Sequence, residues 1–166
     1  RDPDDALRLV QVRDLLAGQS WFDLVQHRIH PPGGTPMHWS RLVDLPLALC
    51  IGLLQPLVGT PLAERITLVT VPLVEFALLC GLLYKIAGRL HLGRGTALLA
   101  VAMLATSLSI MIQFAPVRID HHGTQILLGA IAIHALVRTD RFDGRAGLVA
   151  GLAMAAWMLV SIEGLP

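Results

Sequence analysis

Charge is what this sequence has least of. Only 15% of its 166 residues are Asp, Glu, Lys or Arg, whereas 54% are hydrophobic. Soluble domains carry about 25% charged residues, so a water-surrounded globule is not what this composition describes, and lipid is the expected solvent for most of the chain. With 13 basic and 12 acidic residues the formal net charge is +1, too little for a general basic field, which excludes nucleic acid as an expected partner. Cysteine is scarce as well. Cys50 and Cys80 both lie in apolar runs with no metal-ligand spacing, and read as small core hydrophobes that carry no compartment information. No basic segment and apolar run precede the first acidic cluster, and the chain opens at Arg1, so we expect a fragment whose first membrane helix lies upstream. Repeats, low-complexity tracts and domain-splitting linkers are also missing, which makes residues 1–166 one expected transmembrane domain.

What the sequence does have is long apolar runs: residues 45–59, 66–87, 96–115, 123–137 and 146–162. About 20 apolar residues at 1.5 Å each cross about 30 Å of hydrocarbon. Residues 45–59 are too few and carry Pro46 and Pro56, so an interfacial or re-entrant helix is expected there. Residues 66–87 and 96–115 are long enough. The fourth run reaches membrane length if its helix starts at His121 or His122 and ends at Arg138, and 146–162 closes the series. The predicted fold class is therefore all-α: a polytopic transmembrane helix bundle of about four spanning helices, with interfacial helices in a first outer loop formed by residues 1–44.

Lys and Arg near short loops stay on the cytoplasmic side. Placing Lys85, Arg89 and Arg94 inside together with Arg138, Arg141 and Arg145 makes 66–87 and 121–138 run inward, and 96–115 and 146–162 run outward. The parity closes only if 45–59 does not cross. Residues 1–44, the loop Pro116 to His122 and the end Glu163 to Pro166 then share the outer face of the plasma (inner) membrane.

Most of the polar chemistry gathers on that face. The run Asp2-Pro3-Asp4-Asp5-Ala6-Leu7-Arg8 starts a helix with Leu9, Val12 and Leu16 on one face and Arg8, Gln11 and Asp14 on another, the pattern of an amphipathic interfacial helix. Its acids also have a structural reading, with Asp2 as N-cap, Pro3 at the first helical position, and Asp4 and Asp5 favoured by the helix dipole. A second cluster, Arg118-Ile119-Asp120-His121-His122-Gly123, stands where a helix re-enters the membrane. Asp120 either caps that helix or, with the imidazoles, offers ligands to a divalent ion that a carboxylate at each locus would share.

Two further features stand out. The stretch from His27 to Arg41 is rich in Pro and Gly and reads as an ordered loop. Its Trp39 and Arg41 serve either as an interfacial anchor or as the wall of a pocket for a phosphate-bearing lipid head group, with arginine on the phosphate. Within the apolar runs Glu75 and His134 are the ionisable exceptions, costly enough in hydrocarbon to mark functional or helix-facing positions. Glu75 follows Pro72 by three residues, a place from which it can satisfy backbone freed by the proline.

Together these residues resemble the N-terminal membrane part of the catalytic subunit of oligosaccharyltransferases, within the GT-C class of membrane glycosyltransferases. Asp2-Pro3 with Arg8 six residues after the Asp is similar to that family's first acidic motif. Asp120-His121-His122 is similar to its second motif in the Asp-X-His form, and Glu163-Gly164-Leu165-Pro166 to the small-residue and proline end of a later helix. Asp4 and Asp5 stand where the family has two aromatics, which leaves Asp2, Asp4 and Asp5 all open as the acidic ligand. The resemblance implies catalytic carboxylates at Asp2, Asp5 and Asp120, and a divalent Mg²⁺ or Mn²⁺ on Asp2, Asp120 and His122. It also implies substrate contacts from Arg8, His38, Trp39, Arg41 and His121, with Arg8 or Arg41 steadying phosphate. The implied partners are the lipid bilayer, a polyprenyl-phosphate-linked sugar donor and an acceptor the residues do not identify.

Two other classes remain as expectations. A transporter or channel component would line a polar path with Glu75 and His134, and so requires those two to face each other. A non-catalytic scaffold subunit would use its acids only as helix caps.

Overall fold

The computed structural model describes residues 2–137 and 143–161, so Arg138, Arg141 and the expected family-like end at Glu163 to Pro166 lie outside the described residues. Among the described residues the chain is mostly helical, in the order α1 (Pro3–Leu16), α2 (Asp44–Val58), α3 (Thr60–Arg89), α4 (Gly93–Thr106), α5 (Leu108–Gln113), α6 (His121–Leu136) and α7 (Gly144–Val160). The loop between α1 and α2 contains a two-residue antiparallel ladder, β1 (Val25–Gln26) against β2 (Thr35–Pro36). Gly34 makes that turn possible, because at its φ of +74° a Cβ would lie 2.5 Å from Val25 Cγ1.

Local chemistry sets most boundaries. Asp2 caps α1 by accepting from the Asp4 N–H at 3.1 Å, with Pro3 following as the first helical residue. Gly59, at φ +79°, ends α2 and turns the chain directly into α3, whose second residue is Pro61. The helix α2 coincides with the expected short run, and α3 begins six residues before the expected start at 66.

The expected continuous span 96–115 is corrected. The Thr106 hydroxyl donates to the Met103 carbonyl at 3.0 Å and Ser107 is extended at φ −73°, ψ 109°, which breaks the run into α4 and α5. Hydroxyl side chains offer the backbone local alternatives to the helical ladder. Among the described residues α3, with 30 residues, is the one helix long and apolar enough to cross a membrane; α2, α4 and α7 are apolar but shorter.

The helices α3 and α6 run parallel. Glu75 meets Thr124 near the start of α6, and Arg89 meets His134 near its end. The helix α7 returns antiparallel, with Gln125 bonded to the Ser161 carbonyl at 3.2 Å and Gly129 facing Trp157. A small core of Val12, Leu47, Ala48, Ile51, Ala63 and Ile119 joins α1, α2, α3 and the turn before α6.

Elsewhere the usual distribution is inverted. Arg8 is 0% exposed and Gln11 2%, while Leu53 is 73% and Leu57 79% exposed. The expected face of α1 is therefore corrected: Arg8 and Gln11 point inward beside Val12, and Leu16 is 42% exposed. Arg8 is buried because Asp44 and Trp39 are buried with it and receive its charge.

Candidate acidic site between the first and sixth helices

A missing hydrogen sets the site. Pro72 has no N–H, so the carbonyl of Leu68, four residues earlier in α3, loses its intrahelical donor. The Val117 N–H takes that place, donating to the Leu68 carbonyl at 2.7 Å. Val117 holds φ +75° there, a left-handed conformation that costs a β-branched residue on the order of 1–3 kcal/mol. Leu68 is half-buried, and meeting its freed carbonyl recovers part of that cost. Glu75 does not meet the freed backbone; it accepts from the Thr124 hydroxyl at 2.8 Å. The turn before α6 is thus fastened to α3 one residue ahead of Arg118.

Arg118 draws the two acidic loci together. Its Nη1 lies 2.5 Å from Asp2 Oδ2 and 3.3 Å from Asp5 Oδ2, and its Nη2 lies 3.7 Å from Asp120 Oδ2. Asp2 and Asp120, separated by more than a hundred residues of chain, therefore share one guanidinium on one end of the bundle. Asp5 Oδ1 accepts the backbone N–H groups of Ile119 (2.9 Å) and Asp120 (3.1 Å), so the start of α6 is held by a carboxylate from α1. Asp120 occupies the N-cap position without a side-chain cap bond. Its carboxylate is turned to the histidines instead. Asp4 carries no hydrogen bond or ion pair through its carboxylate among the described residues.

Asp120 is 5% exposed. Its Oδ1 lies 2.6 Å from His121 Nδ1, and its Oδ2 lies 3.4 Å from His122 Nε2. Burial alone would raise its pKa, but the bonds from His121 and the charges of His121 and Arg8 outweigh burial and hold it well below the ordinary carboxylate range. The Arg118 hydrogen bond, followed by the Asp4 backbone N–H, lowers Asp2 as well. Both acids are thus ionised at neutral pH.

The donor set fits a divalent ion. One ligand atom each from Asp120, His121 and His122 lies within 4.8 Å of the others, one hard carboxylate oxygen and two borderline imidazole nitrogens, a mixed set open to divalent ions. This grouping contains two of the three expected ligands, with His121 beside them, while Asp2 reaches Asp120 through Arg118. Arg8, Arg41 and Arg118 face Asp2, Asp5, Asp44 and Asp120, and the imidazoles of His121 and His122 also stand against Asp120.

Behind the site lies a buried polar layer, which corrects the expected phosphate contacts. Arg8 donates to Asp44 Oδ1 at 2.9 Å, lies 3.6 Å from Asp120 Oδ1, and stacks 5.0 Å over Trp39. Arg41 donates to the Gln11 and Asp23 carbonyls at 2.9 and 2.7 Å and to Gln19 Oε1 at 2.9 Å. Both guanidiniums are buried among protein acceptors, so neither is presented to a phosphate. Trp39 is 4% exposed and its indole N–H donates to Gln11 Oε1, so it is neither an interfacial anchor nor an open pocket wall. His38 is exposed and makes a tilted ring contact with Trp39 at 4.8 Å, and His121 makes another at 6.3 Å.

Glu75 and His134 do not face each other. His134 receives Arg89 at both its ring and its carbonyl, ten residues beyond Thr124 on α6, or about 15 Å along the axis. Sequence reasoning assigned no role to Arg118 or Asp44. Arg118 was visible as a cation two residues from Asp120; Asp44, one acid at the head of an apolar helix, gave no signal beyond its spacing of three from Arg41. Comparison with protein-family models, with curated proteins and with solved structures returns no match for this chain.

Proposed function

We propose that the chain is the acidic-site portion of a membrane glycosyltransferase of the GT-C type. It would transfer a sugar from a polyprenyl-phosphate-linked donor to an acceptor on the outer face of the membrane. The observation that carries this reading is the meeting of Asp2 and Asp5 at the head of α1 with Asp120 at the head of α6 around Arg118, with His122 on the same Asp120 carboxylate. Acids that only cap helices have no need to converge.

The bilayer reading rests on the inverted surface. Leu53, Leu57, Leu98, Leu108, Leu148 and Leu159 are all more than 60% exposed while Arg8, Arg41, Asp44 and Asp120 are buried, the arrangement lipid favours and water does not. On this reading α3, the broken pair α4–α5, α6 and α7 are the four spans, and α2 lies along the surface. The Arg89 contact to His134 puts the basic ends of α3 and α6 together, in keeping with a cytoplasmic location for that end.

Asp120, His121 and His122 would hold a divalent cation, with Asp2 beside them. When bound, that ion stabilises charge on the departing phosphate. Asp5 fixes the backbone of the Asp120 turn, Arg8 supports Asp120 from behind, and Arg118 holds the two acidic loci in register. The test is sugar transfer by the full-length protein reconstituted with a polyprenyl-phosphate-linked donor. Asp120→Asn is expected to lower turnover by about a hundredfold or more, with wild-type turnover rising on titration of Mn²⁺ or Mg²⁺. Retained turnover in the variant would overturn the assignment.

A further inference from the structure

One cation near the site has no partner. Arg65 is exposed on α3 and makes no hydrogen bond or ion pair among the described residues. It lines a groove of about 380 Å³ whose walls include Leu68, Val69 and Val117 together with Asp2 and Asp5. The groove exists because of the Pro72 junction, since Val117 reaches Leu68 through the carbonyl that the proline leaves free. Arg65, Val69 and Leu73 lie at i, i+4 and i+8, one stripe of α3. Val69 is 39% and Leu73 46% exposed, so an apolar track of about 12 Å runs from the guanidinium toward the middle of the helix.

The geometry points to this groove as the seat of the donor lipid, with Arg65 binding the phosphate and the first isoprenoid units lying along Val69 and Leu73. This inference rests on the proposed transferase reading and names the subsite for its donor. Three features match that occupant. A phosphate needs a cation not already neutralised, and Arg8, Arg41 and Arg118 are each engaged by carboxylates, whereas Arg65 is not. An isoprenoid chain needs an apolar track continuous with the lipid-facing surface, which Val69 and Leu73 supply. The sugar end must reach the acids, and Asp2 and Asp5 line the same groove as Arg65. Because those acids already face Arg118, their repulsion of the phosphate is reduced.

The experiment measures binding rather than transfer. Full-length protein in phosphatidylcholine nanodiscs is titrated with a C55 polyprenyl phosphate and bound lipid is counted by native mass spectrometry. Arg65→Gln is expected to weaken binding about tenfold, the loss of one charge-assisted bond, and Arg65→Lys to recover part of it. Val69→Trp, at an outward-facing position, should weaken binding without lowering the thermal midpoint. Unchanged binding in Arg65→Gln overturns the inference, as does equal competition by inorganic phosphate or by phosphatidylglycerol. The two readings fail separately. If Arg65→Gln binds normally while Asp120→Asn abolishes transfer, the subsite is wrong and the transferase stands; if Arg65 governs lipid binding but Asp120 is dispensable, the transferase is wrong and the lipid site stands.

Discussion

Removing the Asp44 side chain tests the buried layer most directly. Arg8 is 0% exposed, and among the described residues Asp44 is the one that accepts a hydrogen bond from its guanidinium; Asp120 stands off at 3.6 Å, and Nε and Nη2 have no hydrogen-bond partner there. Arg41 depends on Asp44 less, because it keeps the acceptors at Gln11, Gln19 and Asp23. Asp44→Ala therefore strands one guanidinium in a site closed to water, and breaking a buried ion pair from one side costs about 3–5 kcal/mol. For a chain of this size that is a fall in Tm of about 6–20 °C. Asp44→Asn keeps an acceptor for Arg8 and loses only the charge, so about half that fall is expected. The double variant Arg8→Met/Asp44→Leu removes both charges, and should be more stable than Asp44→Ala alone. Thermal unfolding in detergent micelles, followed by tryptophan fluorescence, reads all three. A fall below about 2 °C in Asp44→Ala, or a double variant less stable than the single one, would refute the claim that Asp44 neutralises Arg8.

Other outcomes follow from the same contacts. A Cβ at Gly129 would lie 2.9 Å from Trp157 Cζ3, so Gly129→Ala should destabilise the α6–α7 pair by about 1–3 kcal/mol; an unchanged Tm would contradict that packing. The carboxyls of Asp2 and Asp120 are depressed below their ordinary value of 3.8, so their stabilisation is complete above about pH 4 and is lost as pH falls further. A pH–Tm profile should therefore drop on the acid side, and Asp120→Asn should flatten the drop. With Cys50 and Cys80 replaced by Ser, a cysteine at Asp4 should react with an impermeant maleimide from outside. A cysteine at Arg94 should react only after permeabilisation, and labelling of both from one side would reject the proposed topology.

Much of the fold was legible in single residues. Asp2-Pro3 marked the head of α1, the short run with Pro46 and Pro56 marked α2, and the long apolar run marked α3, because capping and hydropathy act through near neighbours. The break at Ser107 was missed because hydropathy is blind to a hydroxyl that bonds the preceding turn. The inward face of α1 was missed for a related reason: periodicity ranks Arg8 and Gln11 as polar, and only Asp44, Trp39 and Arg41 from a later segment make their burial affordable.

By itself, then, the sequence determined that the chain is helical and apolar, and that one acidic cluster heads α1 while another heads α6. The tertiary structure alone decided that these clusters meet, that Arg118 joins them, and that Arg8 and Arg41 are buried supports rather than open phosphate ligands. The physical reason is range. Caps and apolar runs depend on residues a few positions apart, whereas the site depends on Pro72 freeing a carbonyl that a residue in a distant turn, Val117, comes to occupy.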